Sequence, residues 1–154
     1  MLKLIYNEPP KVICCIRNME EIAASLTKLH ATNGKMWEET LLENNNGLID
    51  SYNELFKTKS TSFAPSLHIV KYDDLVDDHD NTMKKIYKFI KHPYFKTDLR
   101  QIKRNKVYDK AEELHNLKGL HNIKKGLVKS NTKPEEILSQ TQIKYWKQMN
   151  WWNR

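Results

Sequence analysis

The chain has 154 residues, 39% hydrophobic and 29% charged, with a formal net charge of +7 and a pI near 9.3. That length fits one domain, and no apolar run approaches the roughly 20 residues that cross a bilayer. The positive balance suits an anionic partner, and a solvated basic surface equally.

Met1–Tyr6 reads as the end of a helix or the start of a strand, and Asn7–Pro10 as a turn, because Pro9 and Pro10 cannot continue a helix. MLKLIYNEPP is too short and interrupted for a signal peptide. Val12–Ile16 is a β-branched apolar run without alternation, the pattern of a strand buried on both faces. Cys14 and Cys15 lie within it. Neighbours in a strand point to opposite faces and do not pair readily, so both are expected as buried, reduced thiols. No Cys/His spacing suggests zinc.

Arg17 follows the strand at once. Asn18 then opens a helical pattern, with Glu21 at capping-box spacing and Ile22, Leu26 and Leu29 on one face beside Ala23 and Ala24. In open α/β sheets ligands gather at the carboxyl ends of strands, where helix N-termini offer free N–H groups. A guanidinium at that point suits a phosphate; equally, Arg17 can form a structural salt bridge and Ser25 can be a small packing residue.

After a loop at Ala31–Lys35, a helical pattern runs over Lys35–Lys57. Its face is Trp37, Leu41, Leu48, Tyr52, Leu55 and Phe56, with a kink or break expected at Asn44–Gly47. A polar loop leads to a second strand, Leu67–Tyr72, whose last residue shares an edge with Arg17 if the strands are parallel. Tyr72 can stack on a base or pack on the sheet. Asp73 and Asp74 are adjacent, so their side chains diverge; they read as turn caps before acid–base groups. Asp80 caps a helix over Asn81–Lys91 with Met83, Ile86, Tyr87 and Ile90 buried; Pro93 ends it, and Tyr94 and Phe95 fold back on the sheet.

Residues 96–110 are basic, with Lys103, Arg104 and Lys106 as phosphate contacts or solvated side chains, and Ala111–Asn116 is a short helix. His121 is a structural histidine or a base. Thr132, Pro134 and Glu135 open a short helix. Thr141–Met149 is the last, with Ile143, Trp146 and Met149 apolar. Trp151 and Trp152 are expected to dock on the body, since exposed indoles are costly.

Three segments together carry a resemblance. A strand ending in Arg-Asn, then a helix with Ser eight residues after the Arg, is similar to the 3′-phosphate site of sulfotransferases that use 3′-phosphoadenosine 5′-phosphosulfate (PAPS). LHIVKYDDLVDDHDNTMKKIYKFI is similar to their strand, YEDL turn and helix. GLHNIKKGLVKSNTKPEEIL with KYWKQMNWW is similar to the tail of short bacterial and phage-type members.

The resemblance implies an α/β, helix-rich and incomplete P-loop-NTPase-like fold over residues 1–154, with few parallel strands flanked by helices. It implies that Arg17 and Ser25 hold the 3′-phosphate of PAPS or of its desulfo product PAP, and that Tyr72 lies near the adenine. Lys124, Lys125 and Gly126 stand where the family has a basic pair and glycine against the phosphate. Lys in place of Arg there loses the bidentate fork. No metal is implied.

The family's phosphosulfate loop, of the type PRSGTT, does not occur in these residues; the glycines are 34, 47, 119 and 126, none in a Gly-rich loop. The chain therefore reads as a C-terminal portion that starts late. It is expected to be inactive alone, as a split enzyme completed by another chain, a truncated gene product or a nucleotide-binding remnant without turnover; its expected partners are a complementing N-terminal chain or a homo-oligomer. The expected reaction moves a sulfuryl group to a hydroxyl or amine acceptor, in the cytoplasm and away from membranes. The alternative is a basic nucleic-acid-binding or assembly protein. Against it, no helix sets basic residues beside aromatics, and no RNP, zinc-finger or helix-turn-helix signature is visible.

Overall fold

The computed structural model describes residues 10–32, 47–99, 126–129 and 132–153. The expectations for Met1–Tyr6, Trp37 and Leu41, the basic stretch at Lys103, Arg104 and Lys106, the short helix at Ala111–Asn116, His121, Lys124 and Lys125 fall outside them.

Strand β1 (Val12–Ile16) is followed by helix α1 (Met19–Thr32), and helix α2 (Gly47–Thr58) leads through a 3₁₀ turn at Ala64–Ser66 into β2 (Leu67–Lys71). Then come the short α3 (Tyr72–Asp77), α4 (His79–Ile90), a 3₁₀ turn at Pro134–Glu136, α5 (Gln140–Gln148) and a final 3₁₀ turn at Trp151–Asn153. The two strands pair in parallel, Val12 opposite Leu67 through Ile16 opposite Lys71. Parallel neighbours need a long crossover, supplied here by the chain that includes α1 and α2. The ladder finishes level on both strands, so Arg17 and Tyr72 each stand one residue past its last pair.

The core lies at one end of this sheet. Met19, Ala23 and Ala24 of α1 pack against Leu138, Ile143 and Trp146, with Ile22, Leu48, Ile49, Tyr52, Met149 and Trp152 partly buried around them. Two alanines at the centre let α1 and α5 approach closely. Ile22, Leu26 and Leu29, the predicted face, are only half-buried, while Ala23 and Ala24 are fully enclosed. The larger side chains flank the contact instead of filling it.

The terminal tryptophans dock as expected. Trp151 packs on Phe56 and Trp152 on Tyr52, at ring separations of 5.8 and 6.2 Å. They sew the tail to α2.

The tail also satisfies the start of α1. The Asn150 side-chain oxygen accepts from the Met19 backbone N–H at 2.8 Å, and its amide donates to Glu20 Oε2 at 2.7 Å, both buried. Asn153 donates to Asn18 Oδ1 at 3.0 Å and accepts from Lys71 Nζ at 3.4 Å, linking the residues that close both strands. The expected capping box at Asn18 and Glu21 is therefore not made, because the Asn18 oxygen is turned to the tail. The chain forms that motif at α5 instead. Gln142 N–H donates to Ser139 Oγ at 3.3 Å, and Ser139 N–H donates to Gln142 Oε1 at 2.7 Å.

Several expectations are corrected. β1 is not buried on both faces: Val12 and Ile13 are 48% and 44% exposed, and only Ile16, next to the core, is buried. Two strands cover each other along one edge only, and burial reaches β1 only at its carboxyl end, at Ile16. Cys15 is exposed and Cys14 half-buried; both are free thiols, with pKa values raised above the ordinary 9.0 by burial. β2 stops at Lys71, and Tyr72 begins α3. Thr132 and Pro134–Glu135 open only a 3₁₀ turn.

α4 starts at His79, ahead of Asp80, and ends where Lys91 enters the left-handed region at φ 58°. That conformation lets the His92 N–H reach back to the Tyr87 carbonyl at 3.0 Å. Tyr94 and Phe95 fold on α4, not on the sheet. Both rings meet Tyr87 edge-on, at 5.5 and 5.2 Å, and the Tyr94 hydroxyl donates to Asp80.

Two outcomes check this account. Asn150→Ala strands a buried N–H and a buried carboxylate, and is expected to cost about 1–3 kcal/mol in chemical denaturation. A loss within error would remove Asn150 from the structural role given to it. Hydrogen bonds from Lys84 and then Tyr94 hold the Asp80 carboxyl below its ordinary 3.8. The sign follows from that depression: the pairing adds stability above 3.8 and loses it as pH falls through the lower folded-state value. Carboxyl-carbon NMR is expected to give Asp80 a midpoint below 3.8, and a midpoint at or above it would contradict the pairing.

Candidate functional site

Arg17 and Tyr72 come together because the strands are parallel and end level. The guanidinium carbon lies 4.7 Å from the centre of the Tyr72 ring. Arg17 Nε donates to Glu21 Oε2 at 2.7 Å, one helical turn along, and the other Glu21 oxygen accepts from Asn18 Nδ2 at 3.1 Å. The Arg17 and Glu21 side chains are 17% and 25% exposed. The arginine is thus pinned by a ring below and a carboxylate beside Nε. Among the described residues its hydrogen bonding runs through Nε, which leaves the terminal pair of nitrogens directed elsewhere. A planar fork of two N–H groups is the geometry that matches a phosphate monoester.

Of the two readings of Arg17 raised by the sequence, the structure shows the salt bridge, made to Glu21. Ser25 is exposed on α1. It lies four residues beyond Glu21, so the two are neighbours on one helix face. An anion reaching both Arg17 and Ser25 would therefore pass over the Glu21 carboxylate.

The helix N-terminus contributes less than the sequence suggests. The Met19 N–H is taken by Asn150, and the Glu21 and Ile22 N–H groups donate to the Asn18 carbonyl. A small apolar cavity of about 110 Å³ lies behind Arg17, lined by Ile16, Met19, Ile22, Tyr52 and Trp152 among others. Ligand pockets run to roughly 300–1,000 Å³, so this cavity is too small to enclose a nucleotide.

The segment carrying Gly126 returns to the same end of the sheet. Gly126 adopts φ +78°, a left-handed conformation that disfavours side chains, with open space where a Cβ would stand. Three residues on, Lys129 Nζ is 2.9 Å from both Asp73 Oδ1 and Asp77 Oδ2, one turn apart on α3. Those two carboxylates raise the Lys129 pKa above the ordinary lysine range. Asp73 is thereby a clamp for this segment, as its neighbour Tyr72 is a platform for Arg17. Of the residues singled out from the sequence, the structure brings Arg17 and Tyr72 into contact, sets Ser25 on the adjoining helix face, and ties the strand of chain after Gly126 to α3. Sequence reasoning missed Lys129, whose partners lie more than fifty residues away. It also read Glu21 only as a cap, although its i, i+4 spacing to Arg17 was visible.

Among the described residues no cluster of His, Cys, Asp or Glu could hold a metal ion, and no helix is long and apolar enough to cross a membrane. The family model described as Sulfotransferase domain matches residues 1–149. The chain belongs to the sulfotransferase domain family, and its helix-rich α/β architecture around a small parallel sheet is consistent with the P-loop-like fold that the sequence implied. No match was found among curated proteins or among solved structures.

The arginine–ring contact makes a direct prediction. Tyr72→Leu removes the face under the guanidinium and is expected to cost about 0.5–2 kcal/mol. A double-mutant cycle with Arg17→Met isolates the pair, and a coupling energy indistinguishable from zero would mean the ring does not hold the arginine.

Proposed function

We propose that the chain binds PAPS and PAP at the carboxyl ends of β1 and β2 and serves sulfuryl transfer to a hydroxyl or amine acceptor. In this reading Arg17 and Ser25 take the 3′-phosphate and Tyr72 lies near the adenine. Lys124, Lys125 and Gly126 are assigned to the nucleotide's phosphate, close in sequence to Lys129, which pairs with α3. One observation carries the proposal: a guanidinium fork held over an aromatic ring at the level ends of two parallel strands. Membership of the sulfotransferase domain family supplies the chemistry that such a rim would serve.

In the transfer, the acceptor oxygen or nitrogen forms a bond to sulfur as the bond from sulfur to the phosphate oxygen breaks. The acceptor gives up its proton to a base, and the electron pair of the broken bond leaves on PAP. The residues described here bind and orient; the cation that steadies the leaving phosphate is not among them. The 154 residues contain no PRSGTT-type phosphosulfate loop. Turnover in this reading draws that loop from a complementing N-terminal portion, with the 154 residues forming one sulfotransferase-like domain in the cytoplasm.

Calorimetry with PAP tests the reading. Wild type is expected to bind, and Arg17→Ala to lose about 1.5–3 kcal/mol, the worth of a charge-assisted contact. Equal binding by both proteins would exclude Arg17 as the phosphate ligand. The purified 154-residue chain is expected to give no sulfuryl transfer from PAPS; robust turnover would overturn the need for a complementing loop.

A further inference from the structure

Glu21 stands where a phosphate ligand would least tolerate a carboxylate, yet two donors hold it there. Its Oε2 accepts from Arg17 Nε at 2.7 Å and its Oε1 from Asn18 Nδ2 at 3.1 Å. Asn18 is itself fixed, since its side-chain oxygen accepts from Asn153 at 3.0 Å. The carboxylate thus takes its position from the tail through Asn18, and passes it to the guanidinium through Nε. The Tyr72 ring restricts the guanidinium from one face. Nε and the ring together leave the Arg17 plane little rotation about its long axis. Ser25, one turn beyond Glu21 on α1, is the next polar group along this face.

Two opposite effects follow. As an acceptor, Glu21 orders the fork before any ligand arrives and lowers the entropy lost on binding. As an anion, it repels a phosphate that contacts Arg17 and Ser25 together. Resting on the binding reading above, we propose that Glu21 is the positioning residue of the 3′-phosphate site: its hydrogen bond aims Arg17, and its charge keeps the product nucleotide from binding too tightly. The two functions reside in different properties of one side chain, so a neutral isostere separates them. Glutamine keeps an acceptor oxygen for Nε and removes the charge; alanine removes both.

The test measures binding of PAP and of 5′-AMP, which lacks the 3′-phosphate, to wild type, Glu21→Gln and Glu21→Ala by calorimetry. Glu21→Gln is expected to bind PAP about three- to tenfold more tightly than wild type, through loss of a like charge near the phosphate. Glu21→Ala is expected to bind PAP at least about fivefold more weakly, through loss of the charge-assisted anchor. Neither change should move 5′-AMP affinity, because Arg17 is assigned to the 3′-phosphate alone. A merely structural role for Glu21 would weaken both nucleotides in parallel, and that result would overturn the proposal. Equal weakening of PAP binding in both variants would overturn it too, as would wild-type PAP affinity in Glu21→Ala. Failure of wild type to prefer PAP over 5′-AMP would instead remove the binding reading itself, and the role of Glu21 with it. Glu21 lies outside the enclosed core, and thermal melts of both variants check that they remain folded.

Discussion

One buried amide organises this structure. Asn150 accepts from the first N–H of α1 and donates to the carboxylate of Glu20, and both contacts are out of water. A buried carboxylate and an open helix start would each be costly alone. Joined by one side chain, they fix where α1 begins, and therefore where Arg17, two residues earlier, leaves the sheet. The cap comes from 131 residues away, so the start of the helix is a tertiary feature more than a local one. Packing of Trp151 and Trp152 on α2 holds the amide in register.

From that fixed point the candidate rim is assembled by short steps. The parallel ladder ends level, so the residues after each strand meet as guanidinium and ring. Glu21 then engages Nε, Asn18 engages Glu21, and Asn153 engages Asn18. No member of this series is fully enclosed, so the group stays open to a ligand while each side chain keeps a partner. Among the described residues, the Arg17 cation lies directly beside the Glu21 anion. The chain's overall positive charge therefore says little about this spot, where the guanidinium is already paired.

Much of this was legible in the residues, for reasons that can be named. The apolar run at Val12–Ile16 and the Leu67–Lys71 strand are recognisable from composition, and Arg17 from its place after the first. The final helix announced itself through Ile143 and Trp146 at helical spacing, both now buried. What escaped was whatever depends on distant partners. The run at Val12 looked doubly buried because apolar pattern reports capacity for burial, while coverage depends on how many neighbours pack there. Asn18 and Glu21 had the spacing of a cap, but a remote asparagine took the oxygen that the motif requires. Ser139 and Gln142 made that motif with no competitor, and their spacing was there to be read. The Lys129 clamp and the Asn150 bridge leave no local signal, because neither partner is a neighbour in sequence.

The distance between α1 and its cap has a bearing on how the molecule comes to be. During synthesis α1 emerges well before residue 150, and its first turn must wait for the side chain that caps it. Helix nucleation is the expensive step, so this end is prone to fray until the tail arrives. Until residue 150 is made, the nascent protein thus carries Arg17 beside a helix start that is not yet secured. Chaperones that shield unfinished chains have their longest opportunity during that interval.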